Sequence, residues 1–216
     1  MDAFTIRPEH RINDEAALRA LFPATHKIAG LKSMRRLDAH AQDFIRRAPF
    51  LCLGTQDRDG RADVSPRGDP VRFTAILDDR TLAIPDRPGN NRLDSLANII
   101  ANPQVGLLFL VPGFDETLRV NGQASLVTDP ELLDRLAIEG RPPRLAIVVA
   151  VQEVFLHCAK ALRRAQLWDP AQLQDRTEMP SLMKMLMDQT LGAPGDADAM
   201  QQLDATLEED YRRSMY

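Results

Sequence analysis

The chain has 216 residues, 44% of them apolar and 27% charged, and a net charge of -4. That balance fits one globular domain with appendages and gives no sign of a nucleic-acid or lipid-headgroup partner, so a small molecule is the expected partner. No apolar run approaches the roughly 20 residues that span a bilayer. The start, Met1-Asp2-Ala3-Phe4-Thr5-Ile6-Arg7-Pro8, lacks the basic-then-apolar order of a secretion signal, and the expected location is the cytoplasm. Cys52 and Cys158 are too far apart in sequence for a zinc ligand set or a redox pair and read as buried, reduced thiols.

In chain order, residues 13–22 predict a helix capped by Asn13, and 38–47 a second one with Leu37, Ala41, Phe44, Ile45 and Ala48 as its apolar stripe. The basic cluster Lys32, Arg35 and Arg36 lies between them. From Phe50 the period changes to strands: 50–55, a tight turn at 57–60, and a returning strand at 62–65. Pro66-Arg67-Gly68-Asp69-Pro70 reads as a rigid loop, 71–77 and 81–85 as further strands.

Next, Leu93, Leu96, Ile99 and Ile100 recur at helical spacing, and Asn102-Pro103 stops that helix. Strands follow at 104–111 and 117–127, the latter broken at Asn121-Gly122. A short helix begins at Asp129-Pro130, and a strongly apolar strand covers 144–156. Six or more short strands with turns between them imply a closed or nearly closed barrel, mainly antiparallel. Residues 157–170 form a basic connector, and two helices carrying methionine stripes end the sequence, the second capped by Asp196. The expected division is a helical arm over 1–37, a barrel over 38–170 and a helical appendage over 171–216.

The chemistry is narrowed by absences. There is no Gly-x-Gly-x-x-Gly after a strand, no Walker sequence and no Gly-x-Ser-x-Gly, and the four histidines have no metal-ligand spacing. What remains is a concentration of arginines and amides at strand ends. Asn90 or Asn91 is placed to cap the helix after 93, with Arg87 and Arg92 beside its free N–H groups, a suitable seat for a phosphate. A solvated, ordinarily capped helix is the plain alternative. Arg67 and Lys160 add cations, and a phosphate monoester needs several charge-assisted donors.

Five ordered motifs carry a resemblance: Val64-Ser65-Pro66-Arg67-Gly68-Asp69, Ile84 through Ser95, Asn102 through Phe109, Leu118 through Gly122, and His157 through Pro170. Together they resemble the pyridoxamine 5'-phosphate oxidase-related, FMN-binding split-barrel family. The resemblance implies a split β-barrel with flanking helices and a homodimer holding FMN at its interface. It assigns Ser65 and Arg67 to the flavin phosphate and ring, and Asp86, Arg87, Asn90, Asn91 and Arg92 to the phosphate and ribityl chain. Lys160 becomes a further flavin contact and Trp168 a wall near the isoalloxazine. The strand end Ser65-Pro66-Arg67-Gly68 differs from the Arg-x-Val-Leu-Leu-Lys of the vitamin B6 oxidases, so the implied activity is an FMN-dependent oxidoreductase acting on an unknown small molecule. The alternatives on the same barrel are a flavin-binding protein without turnover and a haem protein with His157 as ligand.

Overall fold

Seven strands fill the segment of short apolar runs separated by turns, and in the computed structural model of the protein they form one antiparallel sheet. They are β1 (Phe50–Gln56), β2 (Ala62–Gly68), β3 (Ala75–Asp78), β4 (Thr81–Pro85), β5 (Gln104–Leu110), β6 (Thr117–Val127) and β7 (Ala146–His157). The spatial order is β2-β1-β5-β6-β7-β4-β3. Because β2 and β3 do not pair with each other, the barrel is split rather than closed. The structure describes residues 3–216, which fall into two units that meet in sequence between Ser33 and Met34.

The first unit holds helices α1 (Glu15–Ala20) and α2 (Lys27–Leu31) and buries no residue in either. The cap of α1 is Asp14, which accepts from Ala17 N, rather than Asn13. The predicted helix over 13–22 therefore shortens at both ends.

The second unit begins with α3 (Ala39–Arg47), where the Asp38 carboxylate accepts from Ala41 N at 2.8 Å. Ala41, Phe44 and Ile45 are buried, as the stripe requires. Core side chains come from alternate positions of the strands: Leu51 and Leu53, Leu107 and Phe109, Leu118 and Val120, Ile147 and Val149 are all essentially inaccessible. Each such side chain contributes about 1.5–3 kcal/mol on burial. The helix between β4 and β5, α4 (Asp94–Ala101), closes one side of this core with Leu96 and Ile99. It carries the chain between strands that are not neighbours, from β4 beside β7 to β5 beside β1. Leu93 and Ile100, assigned to the same apolar stripe, are exposed instead.

Three further departures have local causes. β2 runs on through Pro66 to Gly68 where a loop is predicted, because it is an edge strand and an edge tolerates a residue without an N–H. Val71 to Phe73 form a turn rather than the start of β3, closed by Phe73 N donating to Pro70 O. The predicted connector after β7 contains a helix, α6 (Lys160–Ala165). The other helices are α5 (Pro130–Arg135), capped by Asp129, α7 (Leu182–Gln189), capped by Ser181, and α8 (Ala197–Ser214), capped by Asp196. Cys52 is half-buried and Cys158 exposed, so neither is the buried thiol expected.

At Asn121-Gly122 the pairing of β6 with β7 shifts register, and a Cβ on Gly122 would collide with the carbonyl oxygen of Ala150. The collision is with backbone, which cannot rotate away. Gly122→Ala is expected to lower stability by about 1–3 kcal/mol in urea denaturation, whereas Gly54→Ala, whose Cβ meets Gly106 O at 3.4 Å, is expected to leave it nearly unchanged.

Candidate functional site

The site grows from the period of β2. Asp63, Ser65 and Arg67 pair with Thr55, Leu53 and Leu51 and so share the inward face of the sheet, but β2 lies at its edge and presents them at the rim. The segment after β4 meets them there. Asn91 and Leu93 have left-handed backbones, at φ 56° and 61°, and Leu93 is the residue that precedes α4. A β-carbon in that conformation costs roughly 1–2 kcal/mol. Neither Asn90 nor Asn91 caps the helix; Asn90 accepts from Arg92 N at 3.1 Å, and no side chain caps the first turn.

These segments enclose a hollow of about 870 Å³, within the range of sites for small ligands and cofactors. Ser65, Arg67, Asp86, Arg87, Asn90, Asn91 and Arg92 all line it, with the start of α4. Lys160 and Trp168 do not. Lys160 is exposed at the first residue of α6, and Trp168 donates its indole N–H to Phe114 O at 2.7 Å. His157 is also absent from the lining; its ring sits 4.8 Å from that of Phe155.

Polar side chains form the floor. Ser95 Oγ donates to Asp63 Oδ2 at 2.6 Å and lies 3.0 Å from Ser65 Oγ. Thr55 Oγ1 also donates to Asp63 and accepts from Asn98 Nδ2, both at 3.1 Å. Arg67 Nη1 pairs with Asp86 at 2.7 Å, both largely buried, while the buried Arg67 Nε has no hydrogen-bond partner among the described residues. On the far wall Arg87 Nε meets Asp69 Oδ2 at 2.6 Å and Arg87 Nη2 donates to Leu136 O at 2.8 Å. Tyr216 OH donates to the other Asp69 oxygen at 2.8 Å, and Arg141 holds the Tyr216 carbonyl at 2.9 Å. The lining includes five arginines, Arg67, Arg87, Arg92, Arg141 and Arg144, against three aspartates, Asp63, Asp86 and Asp94.

Arg67, Arg87 and Arg92 are paired with Asp86, Asp69 and Asp94, which leaves Arg141 and Arg144 in excess, and that excess beside an uncapped helix start suits an anion. The residues present also fit a flavin phosphate, since the unpartnered Arg67 Nε marks a donor awaiting an acceptor. Sequence reasoning missed Asp63, Asp69, Ser95 and Tyr216. Ser95 was within reach, three residues after Arg92 on a predicted helix start. The contact of Tyr216 with Asp69 spans 147 positions and leaves no local signal. Among the described residues no group of three or more His, Cys, Asp or Glu could hold a metal ion, and no helix is long and apolar enough to cross a membrane.

Fold and hollow define a split-barrel protein with an arginine-lined cleft at the rim. The family model for pyridoxamine 5'-phosphate oxidase matches residues 37–158, more than half of the chain, and the chain belongs to that oxidase-related family. No curated protein matches it in sequence. Among solved structures it is similar to HupZ from Group A Streptococcus, with 20% identity over 55% of this chain and 92% of the other and a TM-score of 0.45. It is similar to a putative pyridoxamine 5'-phosphate oxidase from Lactobacillus delbrueckii, with 20% identity, coverage of 56% and 99%, and a TM-score of 0.42. An FMN-binding protein from Syntrophomonas wolfei is 14% identical, with coverage of 54% and 88% and a TM-score of 0.41.

The Asp69 hydrogen bond, with burial and the Asp69 charge, raises the Tyr216 phenol above its usual value near 10. A raised folded value means the contact stabilises fully below the unfolded value and is lost as pH rises through the folded one. Ultraviolet titration of the two tyrosines should show a component displaced to high pH that Tyr216→Phe removes.

Proposed function

We propose that the hollow binds FMN and that the protein is a cytoplasmic FMN-dependent oxidoreductase acting on a small molecule. The observation that carries this reading is the convergence, in one hollow, of the uncapped start of α4, the unpartnered Arg67 Nε and the exposed Arg92. A phosphate seated there receives helix N–H groups and guanidinium donors together. Ser65 and the Ser95–Asp63 pair would fix the ribityl hydroxyls, which require both donors and acceptors. Asn90 and Asn91 would orient the same chain from the loop, while Asp86 keeps Arg67 aimed. When bound, the flavin supplies hydride-transfer chemistry; the chain's share is binding, orientation and exclusion of water.

A second copy of the chain completes this reading. Cys52, Leu108, Arg119 and Phe155 lie in register on the sheet face opposite the core, and exposed Val64 and Phe50 extend the apolar area. The Arg119 guanidinium covers the Phe155 ring at 3.8 Å and pairs with Glu153 at 3.1 Å. We take this face as the contact in a homodimer, with FMN near its edge. Lys160 and Trp168 then serve only if they reach the hollow of the other copy.

Arg92→Ala should weaken FMN binding about tenfold, or ~1.4 kcal/mol, measured by quenching of flavin fluorescence; unchanged affinity would remove the phosphate assignment. Reduction of the FMN-loaded protein by NADH or NADPH, followed by reoxidation in air, would support turnover, and no reduction by any donor would leave a binding protein. Val64→Glu should convert the dimer to a monomer in light scattering; a monomeric unsubstituted protein would exclude the shared-site arrangement.

A further inference from the structure

A second, smaller hollow of about 400 Å³ shares Arg87 in its lining with the larger one. Its apolar walls include Val71, Phe73, Leu136 and Ile138. Arg87 is committed to Asp69 and to Leu136 O, so its charge is already answered in both spaces. The remaining charged residues lining it are Arg72, Arg135 and Glu139. Among the described residues neither Arg72 nor Arg135 has an ion pair or a side-chain hydrogen bond.

Both flanks of this hollow are built from tight turns. Arg72 occupies the third position of the turn Pro70-Val71-Arg72-Phe73 at φ 73°, a position that favours glycine, so the arginine is kept there at the expense of backbone strain. On the facing side Glu139 and Gly140, at φ 50° and 76°, form a two-residue turn closed by reciprocal bonds between Ile138 and Arg141 at 3.1 and 2.8 Å. That turn fixes Ile138 as a wall. The volume sits at the low end of small-ligand sites.

We propose that this hollow binds a small amphipathic monocarboxylate, its carboxylate between Arg72 and Arg135 and its hydrocarbon body against Val71, Phe73 and Ile138. Two guanidiniums less one carboxylate leave a single uncompensated positive charge, which matches a monoanion, and the apolar walls reward a hydrocarbon body. Flavin is not required for this binding, so the proposal stands apart from the reading of the larger hollow.

Isothermal titration of the full chain with hexanoate and with hexanamide tests it. Hexanoate should bind at millimolar or lower concentration, and hexanamide about tenfold more weakly or not at all. Arg72→Gly and Arg135→Gln should each weaken hexanoate about tenfold, and Arg72→Gly should melt no lower than the unsubstituted protein because glycine relieves the turn. Equal binding of acid and amide, absence of hexanoate binding, or binding indifferent to both substitutions but lost in Arg92→Ala would each overturn the proposal. Failure of FMN titration with hexanoate binding intact would remove the flavin reading alone.

Discussion

The pair between Arg87 and Asp69 is the contact on which the rim of the barrel depends. The Asp69 side chain is 2% exposed and that of Arg87 15%, so neither charge is compensated by water, and stranding one of them would cost about 3–5 kcal/mol. Four segments distant in sequence meet at this pair: the turn after β2, the loop after β4, the end of α5 through Leu136 O, and residue 216 through its phenol. A buried ion pair is weak as a source of net stability, but its demand for complete partners imposes one geometry on the loops that bring them. The same residue lines both the large hollow and the small one.

A different economy governs the start of α4. Helices α1, α3, α5, α7 and α8 each begin with a carboxylate or hydroxyl bonded to their first turn. α2, α4 and α6 have no side-chain cap, and of these α4 alone begins on a residue with a left-handed backbone, Leu93. Forgoing a cap leaves stability unused, typically about 1 kcal/mol, and the left-handed leucine adds strain. Such departures from local preference are expected where a surface serves a ligand rather than the fold.

The strands were legible in the sequence because apolar runs over β1, β4, β5 and β7 and the alternation of β6 are bounded by turn residues, and the Asn121-Gly122 break fell on the observed bulge. What was not legible depended on position in the sheet. Pro66 reads as a strand breaker, and only the knowledge that β2 is an edge reverses that. Val71 to Phe73 look like strand residues because β-branched and aromatic side chains dominate, yet Phe73 N bonds back to Pro70 O to form a turn. In the site, the arginines and amides of 86–92 were visible as a dense polar run and do line one hollow. Trp168 came from motif order alone and Lys160 from that order and its positive charge, and within one chain both lie elsewhere. Asp69, buried against Arg87, gave no local sign of its importance, since a lone aspartate before a proline reads as loop.

Pro66 has one more effect. A sheet whose outermost strand is free along its length can recruit a strand from another molecule and grow without limit. Proline in the middle of β2 removes one donor from that strand. Lateral extension of the sheet along this edge is thereby frustrated.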